Sequence, residues 1–160
     1  MDRRVALVGL VLAAVMTMAA CSDDTPTKGT AKRDDVIAAA NAVCQKDLAN
    51  TKATIAAYNA RFGTSTPSEA DAKDFLVNTV SPQLDATAAG FHAIDNPEKG
   101  TQEWKDALDQ VDKDLHNFKY QIDQDPVSMA VAIGKTDPNK TGGATGALFV
   151  TFGAKDCSTL

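Results

Sequence analysis

Histidine is almost missing from this chain, with only His92 and His116 in 160 residues. A hydrolytic triad needs a nucleophile, a histidine base and an orienting acid that converge in space. Neither histidine offers that setting. His116 follows Leu115 on what reads as an exposed helix face near Asp112, and His92 falls near a helix C-terminus, where an imidazole suits the helix dipole. Glutamate is scarce too. Glu69, Glu98 and Glu103 all lack a histidine three residues on, so the Glu-x-x-His signature of di-iron bundles is missing. Asp112 and His116 stand four apart, half of a metal site with no second half. No glycine-rich phosphate loop follows a strand. Lys and Arg number 16 against 21 Asp and Glu, a net charge of −5, and form no basic cluster. That argues against nucleic acid, whose phosphates are bound through clustered cations. Anionic head groups are equally poor electrostatic partners for the folded part. These absences point away from an enzyme and give no cofactor or metal.

Long hydrophobic runs are limited to one. Arg3-Arg4 precede an apolar stretch from Val5 to Ala20, about 16 residues and short of the roughly 20 a spanning helix needs. A basic start, this run and small residues before the cut make a secretory signal. Met18-Ala19-Ala20-Cys21 resembles the lipobox of bacterial lipoproteins. The resemblance implies that the Cys21 thiol receives a diacylglyceryl group and becomes the first mature residue, holding the protein on the outer face of the cell membrane. Met18 stands where that motif usually has Leu, and cleavage beside Ala19 or Ala20 is the alternative. The organisation expected is a signal over residues 1–20, a lipidated Cys21 with a flexible tether to residue 31, and a helical domain over 32–160. The tether, rich in Thr and Asp, would reach roughly 15–18 Å as a flexible coil.

Cysteine is the third scarce type. With Cys21 assigned to the lipid, Cys44 and Cys157 remain as an even pair in an oxidising compartment, which reads as a disulfide. Two isolated thiols are too few ligands for a structural metal.

Apolar periodicity carries the fold. Ile37, Ala40, Cys44, Leu48, Thr51, Ile55, Tyr58 and Phe62 recur every three or four residues, one face of a long helix ending at Gly63. Thr66-Pro67-Ser68-Glu69 predicts the next start, with Thr66 as the cap and Pro67 at the first helical position. Ala72, Leu76, Val80, Leu84, Thr87, Phe91 and Ile94 line the inner face of that second helix. Pro82 predicts a kink or break near residues 78–82, because it lacks an N–H and crowds the carbonyl of Asn78. Trp104, Leu108, Val111, Leu115, Phe118 and Ile122 mark a third helix over 101–124. The fourth reads in two pieces, 126–133 and 138–152, started by Asp125-Pro126 and Asp137-Pro138. Glycines at 142, 143 and 146 weaken the second piece, and a loop followed by a strand over 148–152 is the alternative. The sum is an all-α domain, a four-helix up-down bundle with a kinked second helix, an irregular fourth and one disulfide.

The lipobox, the polar tether, an early Asn-Ala-Val-Cys in an Ala-rich helix and a terminal Phe-Gly-Ala-Lys-Asp-Cys together resemble small actinobacterial lipoproteins and secreted helical proteins of unknown function. The resemblance implies an all-α, disulfide-closed extracytoplasmic domain and carries no catalytic residues. The function expected is therefore a non-enzymatic binding or interaction module. It is anchored to the membrane through its lipid and directed at another envelope protein. The alternative is a carrier or sensor of a small hydrophobic molecule, held in a cleft that Pro82 opens among Tyr58, Phe75, Phe91 and Trp104.

Overall fold

Asp34 and Asp35 in the first turn and Arg61 in the last complement the dipole of α1, the 30-residue helix Arg33–Phe62 around which the rest is built. The computed structural model describes residues 29–140 and 142–160. The signal, Cys21 and most of the tether lie outside the described residues. The end of the tether does not: the Ala31 N–H donates to Asn96 O and the Glu98 N–H donates to Ala31 O, so the domain begins a few residues before 32. At the far end of α1 the chain turns at Gly63, whose φ of +57° disfavours any side chain, while its N–H closes on Asn59 O.

The second helix starts two residues later than the Thr66 signal predicts. Ser68 is the cap, accepting from the Asp71 N–H, and Pro67 is buried just outside. Pro82 does not break the helix. α2 (Glu69–Phe75) runs into a π-turn, Leu76–Val80, and on into α3 (Ser81–His92). Phe75, Leu76, Val80 and Ser81 all keep right-handed helical dihedrals. The Ser81 N–H donates five residues back to Leu76 O. The irregularity expected near residues 78–82 thus takes the form of a widened turn just ahead of the proline, which lacks an N–H to continue the α-helical ladder.

α4 spans Thr101–Gln124, the range the stripe predicts. Asp125 accepts from the Ser128 N–H and opens α5, Pro126–Lys135. α6, Ala144–Phe152, begins well after Pro138 and is helical where a strand is the alternative reading. The glycines explain the late start. A Cβ on Gly142 would lie 2.7 Å from Ser158 O and one on Gly146 2.6 Å from Cys157 O. Residues 142–146 thus make room for the tail, which ends in a 3₁₀ turn at Lys155–Thr159. The Gly143 N–H donates to Leu160 O.

That turn brings Cys157 to Cys44, and the two form a disulfide with Cα atoms 5.0 Å apart. The core forms two tiers. One gathers Val36, Ala40 and Cys44 of α1, Ala88 and Phe91 of α3, Trp104, Ala107 and Val111 of α4, and Phe149 and Phe152 of α6. Phe91 stacks on Phe149 at 4.3 Å between centroids, and Trp104 meets Phe149 edge-on. Arg33 lies over the Phe152 ring and donates to Phe152 O at 2.6 Å, closing the end of α6. The other tier joins Tyr58, Ala72, Phe75, Leu76, Val80, Ile122 and Ala130, from α1, α2, the π-turn, α4 and α5. The fold is thus all-helical with one disulfide; among the described residues there is no strand.

Candidate functional site

Helical spacing on α3 aims Leu84, Thr87, Ala88 and Phe91 one way, and on α4 aims Val111, Asp114, Leu115 and Phe118 the other. With Asp47 and Thr51 of α1, Thr145 of α6 and Thr159 and Leu160 of the tail, they line a cavity of about 320 Å³ that opens to solvent on one side, where Asp114 is exposed. Its wall is mainly apolar. The cavity lies at the seam between the tiers: Leu115 and Leu160 pack on one, Leu84 and Phe118 on the other. Small or polar residues at Thr51, Thr87 and Ala88 leave the seam unfilled. A second space of about 200 Å³ shares Asp47, Thr51, Leu84 and Phe118 and continues past Thr54, Val80 and Gln83 to Ile133 and Thr136 of the α5 end. There the Thr54 hydroxyl and the Gln83 amide oxygen are hydrogen-bonded.

Two carboxylates stand in this wall. The Thr87 hydroxyl donates to Asp47 Oδ1 at 2.8 Å. Thr145 donates to Asp114 Oδ2 at 2.5 Å, and the Gln110 amide donates to Asp114 Oδ1 at 2.8 Å. Burial pushes the Asp47 carboxyl above its ordinary value, and the Thr87 hydroxyl offsets part of that rise.

The cleft residues expected from sequence do not converge. Tyr58 and Phe75 belong to one tier, Phe91 and Trp104 to the other, and Pro82 is exposed on α3. Only Phe91 reaches the cavity. The helix is continuous through Pro82, and the cavity lies at the seam between the tiers. Asp47, Thr87, Asp114 and Thr145 take the polar positions instead. A signal for one of them lies in the spacing. Asp47, three after Cys44 and four before Thr51, interrupts an apolar stripe from within, and Asp114 stands exposed beside Leu115 at the edge of another.

His92 and His116 are both exposed. His92, not His116, pairs with Asp112, at 2.8 Å. Among the described residues no three His, Cys, Asp or Glu side chains are grouped to hold a metal ion. No helix of these residues is long and apolar enough to cross a membrane. Comparison with protein families, with curated proteins and with solved structures finds no match for the chain.

Proposed function

We propose that this chain is a lipid-anchored, extracytoplasmic binding protein, and that its helical domain holds a small hydrophobic ligand in the cavity between α1, α3 and α4. The cavity carries the reading. Ligand pockets typically begin at about 300 Å³ and are mostly apolar with a few placed polar groups, and this one has that size and that wall. Of the two binding roles the sequence allows, ligand capture is the one with a formed site behind it. The anchor is supported by Arg3-Arg4, the apolar run and Met18-Ala19-Ala20-Cys21. The Cys44–Cys157 disulfide agrees with an oxidising compartment.

The arrangement suits an up-down bundle in which α1, the stretch 69–92 and α4 fill three positions. α5 and α6 divide the fourth, each serving one tier of the core.

Two measurements test the proposal. Metabolic labelling with a fatty acid should mark the wild type and not a Cys21→Ala variant, and equal labelling would reject the anchor. Native mass spectrometry of protein purified from its host should show a bound small molecule, released on unfolding. A mass equal to that of the polypeptide with its lipid, at every stage of purification, would reject the ligand.

A further inference from the structure

We infer that the cavity selects an amphiphile with a cationic, hydrogen-bond-donating head, an alkyl amine and not a fatty acid. The inference rests on the ligand-binding reading above and adds the chemistry of the head group. Charge complementarity decides it. Among the residues that line the cavity and its extension, the charged ones are Asp47 and Asp114; no Lys, Arg or His lines either space. Elsewhere on the same helices aspartates find cations, as Asp85 does with Lys119 and Asp123 with Lys73. At the cavity the carboxylates are held by neutral donors alone: Thr87 on Asp47, and Thr145 and Gln110 on Asp114. Those donors fix the carboxylates in place without neutralising them.

A carboxylate of a fatty acid brought into this wall would meet like charge at Asp47, which is half-buried and so poorly screened, and again at the exposed Asp114 on the rim. An ammonium would supply the missing positive charge together with charge-assisted hydrogen bonds. Its alkyl chain would lie along Leu84, Phe91, Leu115 and Phe118. The burial that raises the Asp47 pKa agrees with this: the ionised carboxylate is short of solvation, which a bound cation would restore.

Isothermal titration of the full chain carrying Cys21→Ala, at neutral pH, with octylamine, octanoate and 1-octanol separates the possibilities. Octylamine should bind at least roughly tenfold more tightly than octanoate, the scale of one hydrogen bond to a charged group. Asp47→Asn with Asp114→Asn, which keeps shape and hydroxyl contacts, should remove about that factor for octylamine and leave 1-octanol unchanged. Ala88→Leu should abolish binding of all three by filling the cavity, with Thr51→Leu in its place should the first variant not fold. If octanoate binds as well as octylamine, or the paired asparagine variant leaves octylamine unaffected, the head-group inference falls while the cavity stands. If none of the three binds, or the filled variant binds as the wild type does, the ligand-binding reading itself falls.

Discussion

Replacing both bridged cysteines by alanine should remove a large share of this domain's stability. Cys44 and Cys157 are 113 residues apart, and a loop of that length restricts the unfolded chain by about 5 kcal/mol in the entropy model. Both side chains are buried, so the change also empties two sulfur-sized volumes in a packed core. That adds on the order of 1 kcal/mol apiece, similar to the loss of a buried methyl group. Whole domains are stable by only about 5–15 kcal/mol. The double variant Cys44→Ala with Cys157→Ala should therefore lose half or more of its stability, and its Tm should fall by roughly 20–35 °C. Urea unfolding is readily followed through Trp104, the sole tryptophan, which is fully buried in the native state and shifts to the red when exposed. The tail should respond first. The Cys157 N–H is held by Ala154 O and the Leu160 N–H by Cys157 O, in a short turn that the bridge ties to α1 together with hydrogen bonds from the Asp156 N–H to Asn41 and from Gln45 to Asp156. In the variant these amides should exchange well before those of α4. A loss below ~2 kcal/mol would refute the reasoning, since the linkage would then not be restraining the unfolded chain. So would uniform exchange across tail and α4.

Three further outcomes follow from local geometry. Gly134→Ala should destabilise by about 1–3 kcal/mol in urea unfolding, because its Cβ would lie 2.1 Å from Tyr58 Cε1 and the ring is wedged against Phe62 and Phe75. Ser68→Ala should lower stability by about 1 kcal/mol through loss of the α2 cap, with Ser68→Thr, which keeps the hydroxyl for both the Asp71 N–H and its carboxylate, close to wild type. Acid should act in two directions. Ser68 and Arg61 hold Asp71 below the ordinary aspartate value of 3.8, Arg61 and Asn78 do so for Asp74, and the Ser128 backbone N–H for Asp125. Their contribution is complete above that value and is lost as pH falls through the lowered ones, so the urea midpoint should drop in that window, less steeply in Arg61→Ala. Asp47 runs the other way: its raised pKa means a penalty present at neutral pH that disappears on protonation. Asp47→Asn should therefore raise the midpoint at pH 7 and lose its advantage in acid.

The stripe from Trp104 to Ile122 could be read directly because each apolar residue recurs at the helical period and nothing interrupts it. The disulfide followed from parity, since three cysteines less one leave a pair. Near Pro82 the sequence shows that the helix has to be irregular but not in what form: steric rules for proline assume an α-helix on its N-terminal side, and here that side is a π-turn at Leu76–Val80, which carries the helix on unbroken. Asp137-Pro138 imitates the Asp125-Pro126 start. What delays α6 to Ala144 is the approach of residues 157–160 to Gly142 and Gly146, a contact made by the far end of the chain that no local window contains. The cavity was hidden for a related reason. Apolar stripes say which faces turn inward, but whether those faces meet or leave a space depends on side-chain volumes summed across four elements. Asp47 is still visible as a polar intrusion at an inward-facing step.

Because the two tiers are separate clusters to which α1, α4 and the stretch 69–92 all contribute, the middle of the molecule is its least consolidated zone. Local opening there leaves the aromatic groups above and below packed, and costs far less free energy than global unfolding. The bridge from α1 to the tail then has a further effect: it latches Thr159 and Leu160, two residues of the waist wall, to the longest helix.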